Sequence, residues 1–324
     1  MSLIQELIQV KPQKDSLISI GVLDGVHLGH QCLISHLNES ARRKKYLAGV
    51  ITFDRHPEEI IFPDSAICYL TTLEQRRSLL QSLAPHFVVV LPFTRDTAKM
   101  SARQFINLLQ KHLRMKGLII GPNFALGENR EGNINTLPKI GQEMGFEIEV
   151  VPPLIVDGIM ASSTTIREAL HNGNIRLANK LLGRNFSLEG EVIAGTGQST
   201  RIGFPTANLD IPAQLCFPDN GVYATIAHIR GQRYQSLTNI SGPLALGRVI
   251  AHIATERIRE QVIEVHLLDY SGDLKGTRVK IEFLDYLRPE LYFDNTKALS
   301  SQISKDIMQA KVIFSQFKLV QEIK

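Results

Sequence analysis

The chain has 324 residues, 44% hydrophobic and 21% charged, a composition expected of a soluble globular protein long enough for two domains with separate cores. Its 36 basic and 32 acidic residues leave a formal charge of +4, too slight to argue for a nucleic acid or a membrane surface as partner. Three cysteines, Cys32, Cys68 and Cys216, lack CxxC spacing, and no apolar run approaches the ~18 residues of a membrane span, so a reducing, cytoplasmic setting is expected.

Residues 17–22 are apolar and partly β-branched and predict a first strand, while residues 31–45 place Leu33, Ile34 and Leu37 at helical spacing. The turn between them carries Gly21, Asp24, Gly25, His27, Gly29 and His30. A helix start presents unpaired N–H groups and about half a positive charge, which suits phosphate, and histidines there would add donors. Taken alone, two histidines three apart are more often packing than a site. Here the glycines remove side chains where a ligand would approach the backbone. Asp24, His27 and His30 as metal ligands are the other functional reading, with no fourth ligand positioned nearby.

Residues 46–53 predict a second strand, completing a βαβ unit over 16–53 with a parallel pair. Phe87–Leu91, 118–121 and 146–151 are further apolar runs, and Ala102–Leu113 is one of the helical patterns between them. This alternation predicts a doubly wound parallel sheet with helices on both faces, whose ligands bind beyond the carboxyl ends of the strands. At those ends stand Thr52-Phe53-Asp54-Arg55-His56-Pro57, Leu91-Pro92-Phe93-Thr94-Arg95 and Gly121-Pro122-Asn123-Phe124-Ala125-Leu126-Gly127. Each alone would pass as turn chemistry. Together with the histidine turn they make four polar loops on one rim. Ser162-Ser163-Thr164-Thr165-Ile166-Arg167 then opens a helix expected over 164–171. An N-cap explains one hydroxyl, whereas two serines, two threonines and an arginine on one turn make a second anion-binding helix start.

A short helix, Ile175–Leu182, closes the first domain, and Gly183-Arg184-Asn185 divides the chain into 1–183 and 184–324. Beyond it, 187–194, 221–230, 262–269 and 279–283 are β-rich, with Asp219-Asn220-Gly221 and Ser271-Gly272-Asp273 as turns. Successive strands without helices predict a small antiparallel barrel, and a terminal helix over about 296–314 lies across it. Gly195-Thr196-Gly197-Gln198-Ser199-Thr200 reads as a simple loop before it reads as a phosphate loop. In 262–269, Glu264 shares a face with His266, and Ile263, Val265 and Leu267 share the other. An outward glutamate on a strand is usually a solvated face.

The string from Gly21 to His30 resembles the HxGH signature of nucleotidyltransferases, in the form carried by bacterial bifunctional riboflavin kinase/FAD synthetases, with Leu23 where the family usually has Phe. The next three loops are similar to the family's TFxPHP, LPFT and GxxFxFG, with Arg55 for Pro and Leu126 for Phe. Residues 162–167 match SSTxIR, Gly203-Phe204-Pro205-Thr206-Ala207-Asn208-Leu209 resembles the kinase PTAN motif, and residues 264–269 match ExHxxD. The resemblance spans about 16–314. It implies adenylyl transfer from ATP to FMN, with ATP held by Gly21, Asp24, Gly25, His27, His30, Ser162, Ser163, Thr164 and Arg167. Within that set it makes His27, His30 and Arg167 catalytic. Flavin contacts fall to Asn123, Phe124, His56 and Pro57. It also implies a riboflavin kinase over 184–324, with Gly203, Thr206 and Asn208 at ATP, Thr206 and Asn208 at magnesium, and Glu264 as general base.

An FMN phosphate oxygen is already a competent nucleophile, so adenylyl transfer needs positioning and charge neutralisation, whereas the riboflavin hydroxyl needs a base. The expected partners are riboflavin, FMN, ATP and Mg2+, with FAD as a product; a homo-oligomer is left open. The family's Asn-Ile-Gly is Asn239-Ile240-Ser241 here, the connection 244–261 is extended, and Ser199-Thr200-Arg201 shifts an arginine relative to the family's GRT. Two other readings stay open: a transferase with a non-catalytic flavin-binding or regulatory barrel, and a nucleotidyltransferase for a non-flavin small molecule.

Overall fold

The computed structural model of the chain describes residues 2–64, 67–194, 203–242 and 261–322. In the first compact unit, Met1–Ser163, short runs rich in Ile, Leu and Val become parallel strands because both of their faces are covered. These are β1 (Ser16–Ile20), β2 (Leu47–Phe53), β3 (Phe87–Leu91) and β4 (Met115–Ile120), with β7 (Glu147–Val150) at the edge, in the order β3-β2-β1-β4-β7. Two small hairpins interrupt them, β5 (Ala125–Leu126) with β6 (Gly132–Asn133), and β8 (Ile155–Val156) with β9 (Ile159–Met160).

The helices of this unit are α1 (Leu3–Val10), α2 (Leu28–Lys44), α3 (Pro57–Ile61), α4 (Leu73–Ser82), α5 (Arg95–Ala98), α6 (Ala102–Leu113) and α7 (Leu137–Met144). Alternation along β1 sends Ile18 and Ile20 into one core with Leu3, Leu7, Phe105, Ile106 and Leu137. Leu17 goes into the other, with Leu33, Ile34, Leu37 and Leu80. The sheet is therefore doubly wound, as the alternation of patterns predicted. Of the helices in this unit, the sequence reading named only those at α2 and α6. Both α1 and α4 begin with capping boxes, Ser2 with Gln5 and Thr72 with Gln75.

In the second unit, Thr164–Lys324, β10 (Ser187–Ile193), β11 (Ala207–Asp210), β12 (Gly221–Ile229), β13 (Gln232–Ser241), β14 (Val262–Leu267) and β15 (Arg278–Arg288) close an antiparallel barrel. β13 escapes the sequence pattern because its inward residues Ser236 and Thr238 are hydroxylic. Both pair inside the barrel with Thr225 Oγ1 at 2.8 Å. α8 (Ser163–His171) begins at the division between units, and α9 (Ile175–Leu182) follows it. Asn179 Nδ2 on α9 donates to Phe283 O at 2.8 Å, so this helix docks on β15. Packing thus groups α8 and α9 with the barrel, although the pattern along the chain changes only at 183.

The terminal helix (Thr296–Glu322) runs past the expected end at 314. Its Ala310 and Phe314 cover Ala224, Ile226 and Leu237 on the outside of the barrel. Arg288 and Asp306 fix its angle with a two-pronged ion pair at 2.8–3.0 Å. The glycine loop 195–200, Arg201 and nearly all of the extended connection 244–261 lie outside the described residues.

Candidate active sites

The turn after β1 is built from backbone that side chains rarely adopt. Leu23, Gly25 and Val26 have φ of 52°, 77° and 41°, and for a β-branched residue such as Val26 that conformation is strained. Long-range anchors hold it. The Asp24 carboxylate, 2% exposed, accepts from Leu70 N at 2.9 Å and from Thr71 N and Thr71 Oγ1 at 3.2 and 3.1 Å. Gly25 N donates to Thr71 Oγ1 at 3.3 Å, and Ser163 Oγ donates to Asp24 O at 2.9 Å. Asp24 thereby orients the turn, and its main chain joins the histidine motif to Ser163 of the second anion-binding motif.

His27 caps α2: its Nδ1 accepts from His30 N at 3.4 Å, and the two imidazoles stack with centroids 3.6 Å apart. Gly29 is required by close approach, because a Cβ there would lie 2.9 Å from Ala161 O and 3.0 Å from His27 Cε1. Burial, then the neighbouring His27 and Arg76, hold the His30 imidazole well below its ordinary pKa of 6.5. It is neutral at pH 7, and its buried Nδ1 has no partner among the described residues. A neutral ring beside a helix start can meet phosphoryl oxygens without first losing a counter-ion.

Arg76 on α4 is a residue that sequence reasoning missed. It is 1% exposed, with Nη1 donating to Val22 O at 3.0 Å and Nη2 to Phe53 O at 2.6 Å. Val22 lies two residues beyond the end of β1, and Phe53 is the last residue of β2. After β2, His56 caps α3 with Nδ1 accepting from Glu58 N at 3.3 Å, Pro57 begins that helix, and His56 N donates to Tyr69 Oη at 2.6 Å. After β4, Asn123 is exposed, and Phe124 packs partly against the core below. Gly21, Asp24, Gly25, His27, His30, His56, Pro57, Asn123 and Phe124 therefore stand at the carboxyl ends of three parallel strands, on one rim. Ser162 and Ser163 are half-buried; Thr164, exposed, and Arg167, half-buried, sit on α8 in the second unit.

On the barrel, Glu264 of β14 lies directly opposite Asn208 of β11 and Asn239 of β13. Opposed residues of antiparallel strands share a face, so three polar side chains stand side by side on the outside. Ile263, Val265 and Leu267 fill the inside. Burial raises the Glu264 carboxyl above its ordinary pKa, a hydrogen bond with Asn239 works against that, and Glu290 adds to it. Asn239 is an addition to the expected site; its signal was the Asn of the family's Asn-Ile-Gly string. Thr206 is half-buried immediately before β11, after Gly203 at φ 87°. His266 ties this turn to β14, its Nδ1 lying 2.9 Å from Pro205 O and its ring meeting Phe204 edge-on. Among the described residues, no three His, Cys, Asp or Glu side chains are grouped to hold a metal ion.

Comparison with known proteins separates the chain at the same place as its two sites. The family model for FAD synthetase matches residues 9–165, and that for riboflavin kinase matches residues 182–314. The bifunctional riboflavin kinase/FMN adenylyltransferase of Escherichia coli (strain K12) is 35% identical over 310 residues, 95% of each chain. The chain belongs to this family of bifunctional flavin nucleotide enzymes. A family member from Haemophilus influenzae (strain ATCC 51907 / DSM 11121 / KW20 / Rd) is 34% identical over 92% of this chain and 94% of its own. The crystal structure of a Streptococcus pneumoniae chain described as a macrolide-efflux protein superposes with a TM-score of 0.81 at 26% identity, covering 93% of this chain and 95% of that one. Among the described residues of this bifunctional enzyme, no helix is long and apolar enough to cross a membrane.

Proposed function

We propose that the rim of the parallel sheet is the FMN adenylyltransferase site and the outer face of the barrel at Glu264 the riboflavin kinase site, with the functional division at 183/184. The enzyme phosphorylates riboflavin to FMN and adenylylates FMN to FAD, using ATP in both steps. In the first step Glu264 takes the proton of the ribityl 5'-hydroxyl as its oxygen bonds to the γ-phosphorus of ATP, and ADP leaves. Its raised pKa makes it a stronger base than an exposed glutamate. Gly203, Thr206 and Asn208 face the nucleotide. Thr206 and Asn208 offer neutral oxygen donors beside a carboxylate, a set that fits Mg2+, which takes its other ligands from phosphate and water. That ion supplies charge neutralisation at the phosphates when bound.

In the second step a phosphate oxygen of FMN bonds to the α-phosphorus of a second ATP, and pyrophosphate leaves. Arg167 offsets the charge that develops there, and His27 and His30 donate hydrogen bonds to the phosphoryl oxygens. Gly21 and Gly25 admit the nucleotide close to the backbone, Asp24 holds the turn, and Ser162, Ser163 and Thr164 supply hydroxyls at a helix start. Asn123, Phe124, His56 and Pro57 receive the flavin end. The substrates are small molecules, and a cytoplasmic setting suits ATP as the common donor.

The observation that carries the reading is the placement of His27 and His30 at the start of α2, beyond the carboxyl end of β1. The test is a pair of variants in the full chain. His27→Ala should lose FAD formation from FMN while still making FMN from riboflavin, and Glu264→Gln should do the reverse. Equal loss of both reactions in either variant, with the fold intact, contradicts the assignment.

A further inference from the structure

We infer that Arg76 is a positioning residue for adenylyl transfer, its buried guanidinium locking the carboxyl ends of β1 and β2 into one geometry so that the histidine turn and the His56–Pro57 segment face the same ligand. Burying a cation is costly, and an apolar side chain would fill the same volume without that cost. What the arginine adds is a rigid fork. One prong holds Val22 O, which also accepts from Thr52 Oγ1 at 2.7 Å, and the other holds Phe53 O. Val22 is two residues from Asp24 and precedes the strained turn; Phe53 precedes the Asp54 to Pro57 loop.

The same stretch of chain clamps the turn from its other side, since Leu70 and Thr71 hold the Asp24 carboxylate. The Thr72–Gln75 capping box fixes where α4 starts and hence where Arg76 points. Burial lowers the pKa of the guanidinium, and Asp24, Tyr69 and Asp54 oppose that. The groups acting on His30 are His27 from its own helix start and Arg76 from α4, and both favour the neutral ring. Arg76 therefore ties two loops together and adds to the burial and the His27 effect that keep one histidine neutral.

The inference rests on the transferase assignment of the histidine turn, so the experiment compares full-length Arg76→Lys, Arg76→Met and His27→Ala. Measured are FAD formation from FMN, FMN formation from riboflavin, thermal unfolding and the NMR titration of the His30 ring. Lysine keeps the charge but cannot span both carbonyls. Arg76→Lys should lower kcat/KM for FMN about 10- to 100-fold, as expected of a lost positioning contact, with riboflavin phosphorylation unchanged and His30 still neutral at pH 7. Arg76→Met should lower it similarly and move the His30 titration upward. A folded Arg76→Lys with the parent rate, while His27→Ala is inactive, overturns this inference alone. Parent-like FAD formation by His27→Ala tells against the site assignment instead. Unfolding of both Arg76 variants would make the residue a core support and also overturn the inference.

Discussion

Glu264 shows how a single carboxylate is tuned. Burial raises its pKa, so the protonated form is favoured more in the folded chain than in the unfolded one. The cost of keeping it charged is therefore present above the folded pKa and is relieved as the pH falls through it. Two outcomes follow from that sign. The acid limb of riboflavin phosphorylation should have its midpoint above the ~4.3 of an unperturbed glutamate. Replacing Glu264 with Gln should cost about 10²- to 10⁴-fold in kinase turnover, yet leave stability at pH 7 equal or higher. A pH–rate profile and a denaturant titration check both, and a destabilised Glu264→Gln would contradict the account. The placement of His27 and His30 at a strand-to-helix turn, and of Glu264 on the outer face of a strand, was legible in the sequence from the apolar spacing on either side. The anchoring of Asp24 was not, because its donors Leu70 and Thr71 lie far along the chain. Arg76 went unread for the same reason, since its partners Val22 and Phe53 are also distant along the chain.

At the scale of elements, the parallel strands and the long helices followed from their apolar spacing, and the doubly wound arrangement followed from their alternation. Elements stabilised by other means were hidden. α1 buries only Leu3 and Leu7, and β13 turns hydroxyls inward to a mutual hydrogen-bonded cluster. The terminal helix depends on a side-chain contact as well as on Ala310 and Phe314. Asp306 is 2% exposed, and it accepts from Arg288 and from Gln302 Nε2 at 2.8 Å. Removing the arginine leaves that carboxylate buried without its cation, which costs about 3 kcal/mol when such a pair is broken. Arg288→Ala should accordingly lower the unfolding midpoint of the barrel unit and shorten the half-life of riboflavin kinase activity on heating. Thermal inactivation followed by separate assays of the two reactions measures this, and equal shifts in both activities would contradict it.

At the scale of the molecule, the proposed assignment gives the chain two phosphate-handling sites of different design. The sheet rim relies on helix starts, glycines and histidines, because an FMN phosphate needs no help to become a nucleophile. The barrel relies on a carboxylate flanked by two amides, because an alcohol does. Both family models and the sequence motifs fall in the same order along the chain, so the function was legible before the geometry. The division between units was less so, since an amphipathic helix such as α9 does not announce which sheet it covers. The most direct test of the whole account is a time course with the purified chain, ATP, Mg2+ and riboflavin, separating riboflavin, FMN and FAD by chromatography. The account predicts that FMN appears first and FAD follows, with FAD also formed when FMN replaces riboflavin. No FAD from FMN, or no FMN from riboflavin, would contradict the assignment of the corresponding site.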